Sequence, residues 1–287
     1  MSQVEKGILL GYIQLGLTVL SLTVNGFVLT QYTLKRLDVT QHLNMIFVKL
    51  ILEFIYAIFM VFYSACIVVE QKGLHKLEEF IYLSGNMTAS LQVFMALVYF
   101  FVTLDRHFAM KKPIIYSQYH NCYVRRASIT LGIMVFLCAF FLYAVTRCPS
   151  MGAQSSFDML VTQKVHTSFK ILQLLFYVMS IVFTVICSLR LKPFLKKKRA
   201  YFMGTFVDSV KTANKCVMVM TCCVALLIVA PLSFEVVKTI GSLEIVDHSA
   251  MFADMGYLTL STISGLIFYC VTRPQCKTTP SPAVSYI

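Results

Sequence analysis

The sequence predicts an all-α membrane protein, a seven-transmembrane helix bundle with its amino terminus outside and its carboxyl terminus inside. Three observations carry this. Seven apolar runs, each near or above the roughly 20 residues needed to cross a bilayer, take up most of the 287 residues. Charged residues make up only 13% of the chain, and the mean hydropathy is +0.75. A soluble domain would carry about a quarter charged residues. Lysine and arginine, finally, are divided unequally between the two sets of connecting segments, which orients a membrane protein.

The elements follow in order. Residues 7–34 are free of charge and are stopped by Lys35 and Arg36. The run is too long for the core of a signal peptide and reads as a retained first span. The second span, about 43–69, contains Lys49 and Glu53, which lie four residues apart on one helical face and can pair. The third, 80–104, holds no charge and ends at Asp105-Arg106, with Lys111, Lys112 and Pro113 close behind. Proline lacks an amide donor and clashes with the preceding turn, so Pro113 turns the chain out of the helix.

The fourth span, about 127–146, is bracketed by Arg125-Arg126 and Arg147. The fifth (168–190), the sixth (215–237, containing Pro231) and the seventh (249–272, with Asp254 near its start) complete one domain over residues 1–277. Residues 278–287 read as a short disordered cytoplasmic tail. Of the 25 basic residues, 17 fall on one set of segments, 7 on the other, and Lys49 lies within a span. The richer set, which includes Arg106, is cytoplasmic by the positive-inside rule.

The net charge of +12 belongs to these basic loops, and no compact basic domain exists to bind nucleic acid. Ten cysteines, mostly inside apolar runs, resemble small buried hydrophobes more than a disulfide or zinc framework. No zinc-ligand spacing, phosphate-cradling glycine loop or nucleophile elbow occurs. The sequence therefore suggests neither an enzyme nor a cofactor.

The helix-three end reads Asp105-Arg106-His107-Phe108-Ala109-Met110-Lys111-Lys112-Pro113-Ile114-Ile115-Tyr116. With seven spans and an outside amino terminus, it resembles the rhodopsin-like G-protein-coupled receptors, whose usual pattern is Asp-Arg-Tyr-x-Ala-Ile-x-x-Pro-Leu-x-Tyr. Asn25 resembles their polar asparagine of helix one, Glu53 stands where helix two usually has an aspartate, and Pro231 resembles the kink proline of helix six. Tyr269 and Pro274 resemble the end of helix seven. The departures are several. Tryptophan is absent from the whole chain, the fifth span lacks its proline, the usual Asn-Pro of helix seven reads Gly265-Leu266, and Ile81 replaces the cysteine that anchors the outer loop. This erosion, with the Leu-x-Glu-x-Ile-Tyr-Ala pattern around Glu53, is most similar to the nematode serpentine chemoreceptors, and among them to class bc.

The resemblance implies G-protein coupling through Arg106, Asp105, Pro113 and Tyr116, with Arg106 held at rest by Asp105. The alternative for Arg106 is an interfacial arginine reaching lipid phosphates. A mid-bundle polar site would join Asn25, Glu53 and Lys49, unless Lys49 and Glu53 only neutralise each other to permit insertion. Pro231 would be the pivot of helix six. Glu235 and Asp254 would face a ligand cavity or stand as helix-end charges in water. Cys66 and Cys148 could form a disulfide or remain free, and Cys276 is a palmitoylation candidate. Asn86 begins a glycosylation sequon inside the third span.

The implied partners are a heterotrimeric G protein, a small-molecule ligand and the lipid bilayer. The implied location is the plasma membrane, as in sensory cilia. A transporter or channel, or a seven-helix protein that has lost coupling, remains the alternative.

Overall fold

The computed structural model describes residues 3–37, 43–72, 77–111, 116, 121–148, 156–198, 204–241 and 249–273. These form α1 (Gln3–Thr33), α2 (Asn44–Gln71), α3 (Glu78–Lys111), α4 (Asn121–Val145) and α5 (Gln163–Lys198). Then come α6 (Gly204–Val224), a π-helical turn (Ala225–Val229), α7 (Ala230–Ile240) and α8 (Ser249–Thr272). With α6, the π turn and α7 counted as one span, seven helical stretches among the described residues are long and apolar enough to cross a membrane. The chain is a multi-pass membrane protein.

Several helices outrun the apolar runs. Helix α3 continues past Leu104 to Lys111, so Asp105 and Arg106 are helical, and α5 runs from Gln163 to Lys198. Lysine and arginine are good helix formers, so a helix need not stop where the hydrocarbon does. Helix α1 stops at a defined cap. Lys35 adopts φ 55°, its amide bonds to the Tyr32 carbonyl, and the Arg36 amide bonds to Gln31. That pair of reversed bonds is a Schellman motif, here with lysine in the left-handed position glycine usually takes.

Helix α3 is the central post. In its most apolar stretch 72% of residues are buried, against 22% for α4. It packs on α2, α4 and α5, while α1 closes the bundle against α2 and α8. The outward faces carry large apolar side chains such as Phe62, Phe80, Phe141 and Leu189. Water would penalise such a surface, but lipid solvates it.

The π turn lies immediately before Pro231 and has a local cause. A proline ring collides with the carbonyl four residues back, here Leu227, and cannot donate to it. Widening the helix relieves the collision. The Leu227 carbonyl oxygen then faces α8, where a Cβ on Gly256 would sit 1.9 Å from it. Only glycine permits that approach. Gly256→Ala should therefore force α8 off the π turn and cost about 1–3 kcal/mol. The check is thermal unfolding in detergent, followed with a thiol-reactive dye on the buried Cys187 and Cys216. An unchanged midpoint would show that the two segments do not pack this way in solution.

Residues 146–148, at the end of α4, pair with residues 160–162, just before α5. Arg147 and Val161 form an antiparallel bridge, and the 3-10 turn Phe157–Met159 inserts Phe157, 3% exposed, beneath it. Arg147 clamps Glu79 of α3 through two hydrogen bonds of 2.7 and 2.8 Å and lies over the Tyr82 ring.

Candidate functional site

Polar residues gather in three places: at the Arg106 end, where α1 and α2 meet α8, and at the Phe157 end. At the Arg106 end the site is built on the last turns of α3. Asp105 is fully buried and Arg106 is 2% exposed. Their side chains form an ion pair through Nη2, and the Tyr116 hydroxyl donates to both Asp105 oxygens, at 2.8 and 3.0 Å. Arg106 Nη2 also donates to that hydroxyl at 3.2 Å. Burial pushes the Tyr116 phenol above its ordinary pKa, so it stays a donor. Arg106 Nε and Nη1 are buried and have no hydrogen-bond partner among the described residues.

Beside this triad opens a cavity of ≈ 230 Å³, lined by Arg106 and Thr103 of α3, Thr184 and Cys187 of α5, and Asn214 and Val217 of α6. Pro113 lies outside the described residues.

The polar residues of α1 and α2 meet on α8. Asn25 donates to Ser261 at 2.7 Å, and Lys49 donates to Ser264 at 2.9 Å while pairing with Glu53. Gly265 makes the approach possible, since a Cβ there would lie 2.4 Å from the Asn25 amide oxygen. Asn25 and the Lys49–Glu53 pair are thus neighbours through helix α8, three residues apart on its face. Glu53 Oε2 has no hydrogen-bond partner among the described residues. Tyr269 packs edge-on against Phe27 of α1. Pro274 and Cys276 lie outside the described residues.

At the Phe157 end a second cavity, ≈ 70 Å³, has Tyr63, Gln92, Phe157, Asp158, His166, Lys170, Glu235, Asp254 and Tyr257 in its wall. That volume accommodates several waters or a molecule of a few heavy atoms. Glu235 and Asp254 thus share one cavity. Glu235 is ion-paired with Lys170, and Asp254 accepts from Gln92 at 2.7 Å. His166 Nε2 lies 2.8 Å from an Asp158 carboxylate oxygen. Burial raises the Asp158 carboxyl, but Lys170 and His166 outweigh it and hold the pKa below the usual carboxylate range. By the sign of that shift, the stability it lends is present above about pH 4 and is lost only as pH falls further.

Sequence reasoning missed Asp158, His166 and Gln92. Their relation depends on the folding back of the segment before α5, which no local pattern announces. The suggested disulfide between Cys66 and Cys148 is not formed, and both thiols are free. Cys148 lies beside Thr146 and Thr162, while Cys66 packs against the core from α2. Asn86 is 1% exposed and bonds to the Phe140 carbonyl, so its sequon is inaccessible.

The two cavities are joined by tyrosines. Tyr257, in the wall of the smaller cavity, lies 6.2 Å from both Tyr56 and Tyr177, and Tyr177 lies 5.9 Å from Tyr99. The Tyr99 hydroxyl meets Thr221 at 3.0 Å, and Thr221 meets Thr184 of the larger cavity at 3.1 Å.

Comparison with protein-family models gives no match, and comparison with curated proteins likewise gives none.

Proposed function

We propose that this chain is a chemosensory G-protein-coupled receptor in the plasma membrane, with its amino terminus outside. A small molecule binds in the Phe157-end cavity, and a heterotrimeric G protein is activated at the Arg106 end. The observation that carries the reading is the Asp105–Arg106–Tyr116 triad. A fully buried arginine whose Nε and Nη1 lack partners, beside a cavity between α3, α5 and α6, is suited to receive backbone carbonyls from a partner. The triad also falls on the one stretch whose residues resemble the receptors' coupling motif, and the charge count makes that end cytoplasmic.

In this reading the resting state is the one in which Asp105 and Tyr116 occupy the guanidinium. Ligand binding at the far end favours a pre-existing arrangement in which α6 moves off α3, pivoting at the π turn and Pro231. The tyrosine–threonine column connects the two ends. The alternative, a transporter or channel, calls for repeated halves or a line of charges along one path. The deep charges here are locally neutralised, as Lys49 with Glu53 and Arg106 with Asp105.

The test is nucleotide exchange. The chain, reconstituted in vesicles with a panel of heterotrimeric G proteins, is exposed to volatile and water-soluble chemicals of few heavy atoms. At least one chemical should accelerate exchange severalfold. A ligand-evoked current in vesicles without G protein, and no exchange with any, would overturn the proposal in favour of a channel.

A further inference from the structure

We infer that Asp158, His166 and Glu235 form a binding site for a divalent transition-metal ion of the zinc type, which pins the segment before α5 to α5 and α7. The three residues come from three separate elements, yet one donor atom of each lies within 4.8 Å of the others. Tetrahedral zinc with bonds of 2.0–2.2 Å to nitrogen and oxygen sets its donors roughly 3.4 Å apart. The present His166–Asp158 separation of 2.8 Å must open by about half an ångström. The other spacings, none above 4.8 Å, must close by at most about 1.4 Å. Asp158 stands on a three-residue turn with its side chain 38% exposed, so it can supply that movement.

The second observation is the state of Glu235. Its side chain is 7% exposed, Oε1 is bonded to Lys170, and Oε2 has no hydrogen-bond partner among the described residues. A buried carboxylate oxygen without a partner is costly, and a metal ion would satisfy it. The imidazole is oriented as metal ligands usually are. Nδ1 meets the Tyr143 hydroxyl at 3.2 Å, which leaves Nε2 facing Asp158, and the Phe157 and Tyr143 rings flank it.

The local charge agrees. Among the described residues lining the cavity, three carboxylates (Asp158, Glu235 and Asp254) face one lysine, Lys170, with Lys238 acting on Asp158 from outside the wall, an excess of acidic groups that a divalent ion offsets. One nitrogen donor among two carboxylates favours zinc, copper or nickel over magnesium or calcium, which prefer all-oxygen shells. Three protein donors leave a fourth position open to the cavity, for solvent or a ligand atom.

The inference does not rest on the receptor reading, and its readout is metal binding alone. The purified full-length chain in detergent is titrated with Co²⁺, followed by visible absorption, and then with Zn²⁺ in competition. One saturable Co²⁺ equivalent with ligand-field bands is expected, displaced by Zn²⁺. His166→Ala should abolish the bands and weaken Zn²⁺ at least tenfold. Asp158→Asn, on the partly exposed turn and least able to disturb folding, should weaken it by a similar factor while eluting as the same monodisperse peak. No saturable Co²⁺ signal in the parent chain would overturn the site. So would an affinity unchanged in both variants, or thiolate-to-cobalt absorption showing that the cysteines hold the metal.

Discussion

Replacing Arg106 with alanine is expected to remove ligand-stimulated nucleotide exchange, and Asp105→Asn is expected to raise it in the absence of ligand. The first follows because, among the described residues, Arg106 and Lys215 supply the cationic groups in the wall of the α3–α5–α6 cavity. Its unpartnered Nε and Nη1 are the donors a partner would meet. The second follows from the resting contact. A hydrogen bond to a charged group contributes about 1.5–3 kcal/mol. Losing Asp105's charge should shift the resting-to-active ratio by roughly 10- to 100-fold, since each 1.4 kcal/mol is a factor of ten. Tyr116 would then keep the amide only as a neutral partner. Both variants must be compared at equal surface expression, because Arg106→Ala leaves Asp105 buried with Tyr116 alone. Exchange that survives in Arg106→Ala, or a basal level unmoved in Asp105→Asn, would contradict the mechanism at its centre.

How far the sequence reaches differs sharply between the two ends. Hydrophobic runs announce all seven spans, because lipid demands about 20 apolar residues whatever the fold inside. The Lys49–Glu53 pair was legible because a spacing of four puts both on one helical face. The Asp105–Arg106–Tyr116 cluster was legible as a motif, although its hydrogen-bond geometry was not. At the other end almost nothing was. Asp158 reaches His166 only because Arg147 bridges Val161 and Phe157 fills the space above Gly85. Those are contacts between segments, and no periodicity encodes them. Glu235 and Asp254 were legible as charges in apolar helices with Lys170 nearby, but the pairing of Glu235 with Lys170 and of Asp254 with Gln92 became evident only from packing. The π turn is intermediate: Pro231 predicts a local disturbance, whereas the close approach of the Leu227 carbonyl to Gly256 is evident only from packing.

The buried Lys49–Glu53 pair separates a structural role from a signalling one, and the stability effect should be the largest of any substitution in the bundle. Both side chains are 4% exposed. Lys49→Met strands a carboxylate in low dielectric, and Glu53→Leu strands an ammonium that retains only Ser264 and the Tyr99 ring, 5.5 Å away. Breaking one partner of a buried pair costs about 3–5 kcal/mol, while replacing both by apolar groups of similar volume is often neutral or stabilising. The double variant Lys49→Met/Glu53→Leu should therefore unfold at or above the parent's midpoint, although each single variant falls well below it. Additive losses would mean that the two groups do not depend on each other, and the i, i+4 pairing would not hold in solution. If the double variant also exchanges nucleotide normally with ligand, the pair serves insertion and packing alone. If it is stable but silent, the charges act through α8: Lys49 holds Ser264 one turn from Ser261 and Asn25. That outcome would make the α1–α2–α8 polar cluster part of the two-state element that ligand and G protein both bias.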